Sequence, residues 1–122
     1  MIKGVGTDII EINRIEKAVK KDAFLKKCYT ENEIKNFGKS TFAQSAAGAF
    51  AAKEAVSKAF GTGFRHFSAN DIEILKDEMG KPIVNLSEKA SDTAKELGIK
   101  KIYISISHCN EYAVAFAVAE GD

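Results

Sequence analysis

The stretch from Phe42 to Phe60 constrains this chain more than any other. It is rich in alanine, has no proline, and carries only three charges: Lys53, Glu54 and Lys58. Such a run is an α-helix, and Gly61 with the following "TG" ends it in a turn. On 3.6 residues per turn, Ala52, Ala55, Val56 and Ala59 make one apolar stripe, so the helix lies against a core. Glu54 points the other way, yet its neighbours one turn back, Ala47, Phe50 and Ala51, are apolar too. A helix covered on two sides needs a chemical reason to carry a carboxylate and an ammonium one turn apart.

The length of 122 residues suits one domain, residues 1–122, with a core that needs neither disulfide nor structural metal. A net charge of +1 provides no global field for nucleic acid. Apolar runs are short and Lys3 interrupts the first one, so neither a signal peptide nor a membrane span is expected. Cys28 and Cys109 stand far apart without a CxxC partner, and His66 and His108 are the two histidines. That inventory argues against a zinc site and for a reducing cytoplasm.

Around the central helix, the pattern gives the other elements. "MIKGVGTDII" (1–10) reads as a strand whose glycines indicate a bulge or a close backbone approach. Ile12, Ile15 and Val19 recur at helical spacing, and Arg14, Lys17 and Lys21 form a basic stripe elsewhere on that surface. "TENE" (30–33) has capping-box form and opens a short helix that stops at Gly38. Residues 71–86 alternate on either side of Asp77–Gly80, a hairpin pattern. Ser87 caps a helix that ends at Gly98, and residues 101–108 and 112–120 form a second hairpin about Cys109–Glu111. In that last strand, Val114, Phe116 and Val118 face one way and Ala113, Ala115 and Ala117 the other, so both faces can be covered. The expected fold is α+β, with a largely antiparallel sheet and a long alanine-rich helix.

Glu54 and Lys58 have two readings. One is an i,i+4 ion pair on a solvated face, worth a few tenths of a kcal/mol. The other, favoured by the apolar flanks, is a half-buried carboxylate beside a polar groove to which Ser57 and Gly61 contribute. Asp8 is either a cap for the following helix or a hard oxygen ligand. Two carboxylates, one from a strand and one from a helix, suit Mg²⁺, which takes its remaining ligands from water and substrate phosphates. Lys58 beside them would offset phosphate charge. "GTGFRH" (61–66) lacks the GK[ST] of a P-loop and follows a helix where a P-loop precedes one. His108 closes a strand, either as an incidental turn residue or as a catalytic group.

Three segments, "GVGTDIIEINRI", "FAAKEAVSKAFGTG" and "SISH", together resemble the holo-acyl-carrier-protein synthases, the short members of the 4′-phosphopantetheinyl transferase superfamily. The resemblance spans essentially the whole chain, and its most specific part is Phe50 to Lys58 paired with the upstream Gly6-Thr7-Asp8. It implies the fold of that superfamily, and transfer of 4′-phosphopantetheine from coenzyme A to a serine of apo acyl carrier protein in fatty acid biosynthesis. Adenosine 3′,5′-bisphosphate would be the leaving group. It further implies Mg²⁺ on Asp8 and Glu54, phosphate contact by Lys58, and His108 at the nucleotide end of the cleft. The stretch Gly80-Lys81-Pro82 would shape the nucleotide pocket, and Arg14 would lie on a helix that meets the carrier protein, with Lys17 and Lys21 alongside.

Short members are typically homotrimers with clefts at subunit interfaces, so His108 of one chain is expected to complete the Asp8, Glu54 and Lys58 site of the next. Either Glu54 or a water would take the serine proton. The sequence departs from the family pattern at three positions. Ile10 stands where longer relatives carry a third acidic ligand, Ala49 where many short members have arginine, and Thr7 where an aliphatic residue is usual. Two other classes are a non-catalytic module that binds carrier protein or nucleotide, and an oligomerisation domain in which Glu54–Lys58 is an interface ion pair.

Overall fold

A computed structural model describes residues 1–122. The chain runs through β1 (Ile2–Glu11), α1 (Ile12–Ala18), α2 (Asp22–Cys28), α3 (Glu31–Asn36) and α4 (Phe42–Phe60). After a 3₁₀ turn at Ala69–Asp71 come β2 (Ile72–Lys76), β3 (Pro82–Leu86), α5 (Glu88–Glu96), β4 (Ile99–His108) and β5 (Tyr112–Gly121). All strand pairings are antiparallel, in two separate sheets: β1-β5-β4, and the hairpin β2-β3.

Helix α4 packs on all three strands of the larger sheet. Ala52, Ala55, Val56 and Ala59 are buried as their spacing predicts, and the inward alanines of β5, from Ala113 to Ala119, meet them. Small residues on both surfaces bring the helix unusually close. A Cβ at Gly6 would collide with the Ala55 carbonyl oxygen and lie 2.8 Å from the Ala59 nitrogen, and one at Gly4 would strike the Ala59 carbonyl. The glycines of β1 therefore mark both a close approach and a register shift between Ile2 and Gly4. Gly61 closes α4 in the left-handed conformation, φ 80°.

The sequence expectations hold for α3 and α5, whose caps Thr30 and Ser87 accept from the Glu33 and Ala90 backbone nitrogens. Helix α2 was not anticipated. It is short and lacks a glycine or proline boundary, and it is held by tertiary contacts such as Phe24 against the Phe50 ring at 5.9 Å. The expected antiparallel pairing holds throughout, with the 71–86 hairpin standing apart from the three-stranded sheet. No helix is long and apolar enough to cross a membrane.

The outer face of the larger sheet is open. Val5, Ile9, Tyr112, Val114 and Phe116 lie there on adjacent strands, with Ile9 63% and Phe116 47% exposed. The alternation of β5 is as expected, with its alanine side covered by α4.

Candidate active site

Strand β1 passes close enough to α4 for side chains to join them. Lys58 reaches across this contact, its ammonium donating to the Thr7 carbonyl at 3.0 Å and to Asp8 Oδ1 at 3.2 Å. No Glu54–Lys58 ion pair forms, so the solvated i,i+4 reading fails, because Asp8 and Thr7 take the ammonium. The capping reading of Asp8 fails as well. β1 continues to Glu11, which is the N-cap of α1, and no side chain caps that helix.

Glu54 is half-buried beside this pair. Burial raises its carboxyl above the usual range, the Asp8 charge raises it further, and Lys58 opposes both. Two carboxylates near enough for one to raise the other, in a partly desolvated place with a single lysine bonded to Asp8, form a site short of positive charge. That donor set fits a hard divalent cation bound through few protein ligands. No group of three or more His, Cys, Asp and Glu side chains could cage a metal, so other ligands would have to come from water and phosphate oxygens.

Ser57 sits apart from the groove expected for it. It is buried, and its hydroxyl donates to the Glu54 carbonyl at 2.7 Å. Gly61 is exposed at the end of α4, and the Gly63 nitrogen folds back to the Ser57 carbonyl at 3.2 Å.

A cavity of about 540 Å³ lies elsewhere, bounded by Gly48 and Ala49 of α4, Gly80 and Pro82 of the hairpin, and Ile106 and His108 of β4. Thus His108 and the Gly80–Pro82 turn border the same cavity. The Lys81 side chain is exposed and does not line the cavity; its backbone nitrogen donates to Asp77 Oδ1 at 2.9 Å and shapes the turn. Asp8, Glu54 and Lys58 do not line it either. Asp8 stands on β1, and Glu54 and Lys58 on the α4 face that meets it, whereas His108 ends β4, two strands or roughly 10 Å from β1 across the sheet. Arg14, Lys17 and Lys21 surround one shallow depression beside Glu11 and Asn13.

A family model described as the 4′-phosphopantetheinyl transferase superfamily matches residues 4–117. The chain belongs to this superfamily. Its matched span contains every candidate from Asp8 to His108. A holo-acyl-carrier-protein synthase of Clostridium beijerinckii is 53% identical over 122 residues, covering 98% of each chain. Among solved structures, the Neisseria meningitidis holo-acyl-carrier-protein synthase superposes with a TM-score of 0.90 at 38% identity, over 98% of this chain and 99% of that one. The Bacillus anthracis synthase, solved in complex with CoA (3′,5′-ADP), gives 0.82 at 44% identity, over 100% and 99%.

One feature of this chain escaped the sequence reading. Lys53 and Glu33 form a wholly buried ion pair at 2.7 Å. The signal was present: on its own face of α4, Lys53 is flanked by Ala49, Phe50, Val56 and Phe60.

Proposed function

We propose that this chain transfers the 4′-phosphopantetheine group of coenzyme A to a serine of apo acyl carrier protein, with Mg²⁺, in cytoplasmic fatty acid biosynthesis. The observation that carries the proposal is the Asp8–Lys58 contact with Glu54 desolvated beside it. The serine oxygen attacks the phosphorus that bears pantetheine, and adenosine 3′,5′-bisphosphate leaves. Phosphoryl transfer of this kind depends chiefly on positioning and charge neutralisation. Asp8 and Glu54 would hold Mg²⁺, which supplies Lewis-acid neutralisation of the pyrophosphate when bound. Lys58, half exposed, can turn its ammonium from the Thr7 carbonyl toward a phosphate oxygen. His108, Gly80 and Pro82 offer an enclosed wall for the nucleotide. The basic depression at Arg14, Lys17 and Lys21 suits an acidic carrier protein.

Because Asp8, Glu54 and Lys58 gather where β1 meets α4 while His108 ends β4 beside a separate cavity, the complete site in this reading is shared between chains of a homotrimer. The open apolar face of the larger sheet supplies a surface for that assembly. Mass spectrometry of apo acyl carrier protein after incubation with the protein, coenzyme A and Mg²⁺ should show the added phosphopantetheine. Glu54→Ala and His108→Ala proteins, each impaired alone, should regain part of the activity once dissociated and reassembled together. No mass increase with wild type refutes the transfer. No recovery in verified mixed trimers puts both residues in one chain's site.

A further inference from the structure

The buried Lys53–Glu33 pair does more than neutralise itself. All three ammonium protons of Lys53 are used, on Glu33 Oε1 at 2.7 Å, the Ile72 carbonyl at 2.6 Å and the Ala69 carbonyl at 3.0 Å. Glu33 in turn accepts from the Thr30 nitrogen at 2.9 Å and, through Oε2, from the Ile74 nitrogen at 2.8 Å. Both side chains are fully buried, and neither has a polar atom without a partner.

The two backbone groups on β2 form a pattern. At the ends of that strand the Asp71 carbonyl accepts from Ser87 and the Asp77 nitrogen donates to Lys81, both toward the β3 side. Backbone groups alternate in direction along a strand, so the Ile72 carbonyl and Ile74 nitrogen point away from β3. Lys53 and Glu33 satisfy that free edge as a third strand would. The hairpin needs this, because it shares no ladder with the larger sheet and a lone two-stranded hairpin is marginal. Apolar residues could fill the same volume, and replacing a buried ion pair in that way is often neutral for stability. What apolar residues cannot do is fix the hairpin's height along α4 by hydrogen bonds.

That height matters because the far end of the hairpin is a wall of the cavity. Ile74, Lys76, Gly80 and Pro82 line it opposite Gly48 and Ala49 of the helix that carries Lys53, and Glu33, its carboxylate fully engaged with Lys53 and the hairpin, lies at its floor. We propose that Lys53 and Glu33 are positioning residues for nucleotide binding, which lock the β2–β3 hairpin to α4 and so set the width of the cleft between Pro82 and His108. This rests on the reading of that cleft as the coenzyme A site. The next residue on α4, Glu54, lies outside this cavity on the side of Asp8 and Lys58, so one helical turn would serve both halves of the proposed chemistry.

Glu33→Gln is the test. It keeps the side chain's size but confronts either the Ile74 nitrogen or the Lys53 ammonium with a second donor. The expected result is a rise of about tenfold in the coenzyme A dissociation constant by calorimetry and in its KM, a loss that a few poorly made hydrogen bonds can supply. Within twofold of wild type should remain both kcat and the KM for carrier protein. Amide exchange should quicken at Ile74 and its neighbours on the hairpin while the three-stranded sheet stays protected. Unchanged coenzyme A affinity, or a fall in kcat together with uniformly faster exchange, overturns the proposal. Should Glu33→Gln not fold, exchange in the wild type decides: coenzyme A must slow it at Ile74, and no slowing there is equally fatal. Failure of wild type to bind coenzyme A at all would instead refute the functional reading beneath it.

Discussion

Helix α4 carries two lysine–carboxylate pairs of identical chemistry and opposite character. Lys53 meets Glu33 at 2.7 Å with neither side chain exposed, whereas Lys58 meets Asp8 at 3.2 Å with exposures of 52% and 17%. The first pair is saturated, since Lys53 has no proton to offer an incoming group. The second is incomplete: Lys58 is bonded to Asp8 and the Thr7 carbonyl, which leaves the nearby Glu54 carboxylate without a cation of its own. A buried pair must be fully partnered because its desolvation is costly, and full partnership removes it from chemistry. A half-exposed pair can leave charge unbalanced because water screens it, and such an imbalance is what the proposed cation and phosphate would offset. Burial is what separates scaffold from site on this helix.

The sharpest way to break this comparison is to remove a carboxylate from the open pair. Asp8→Ala and Glu54→Ala should each lower transfer on the order of 1000-fold or more, the loss of several kcal/mol of transition-state neutralisation, with an unchanged circular dichroism spectrum. Near-normal turnover of either variant at limiting Mg²⁺ would remove that residue from the metal site. At the closed pair, Lys53→Met should cost about 3–5 kcal/mol of stability by stranding the Glu33 carboxylate, read from the denaturation midpoint. A midpoint equal to that of wild type would mean that Glu33 takes up a proton cheaply and that the pair is not obligatory.

A smaller effect distinguishes the pairs by sign. The folded-state pKa of Glu54 is raised above its unfolded value, mainly by burial and then by Asp8. Such a group contributes stability that is fully present below the unfolded pKa and is lost as pH rises through the folded one. Without metal at neutral pH the ionised carboxylate is therefore a burden, and Glu54→Gln should raise Tm by about 2 °C while abolishing transfer. The gain should vanish on acidification below the ordinary glutamate range. If Glu54→Gln instead lowers Tm in chelator at neutral pH, the carboxylate is stabilising and the site is not short of positive charge.

Much of this molecule was legible in one dimension. The bounds of α4, the caps at Thr30 and Ser87, both hairpins and the alternation of β5 follow from local periodicity and turn chemistry, which act within a few residues. Asp8, Glu54 and Lys58 stood out because a charge in an apolar setting is visible without a structure. Helix α2 was missed because its stability comes from rings packed across the chain, among them Phe24 on Phe50. Ser57 was assigned to a groove from helical position alone, whereas its hydroxyl turns back to the Glu54 carbonyl.

The sequence by itself determined which segments are helix or strand, which faces are apolar, and which residues carry the unusual charges. Gly4 and Gly6 also signalled a bulge or a close backbone approach in β1, and the structure shows α4 as the neighbour. Only the tertiary structure decided where each charge finds its partner. Lys58 looks four residues back to Glu54 in sequence but reaches fifty residues back to Asp8 in space. Lys53 stands among apolar neighbours on its helix, and with Glu33 it closes the edge of a strand nineteen residues ahead. Helical periodicity fixes the direction in which a side chain leaves its backbone, but partnership depends on what the folded chain brings to that side. That arrangement is set by long-range packing, here by how closely a glycine-bearing strand and an alanine-rich helix can approach.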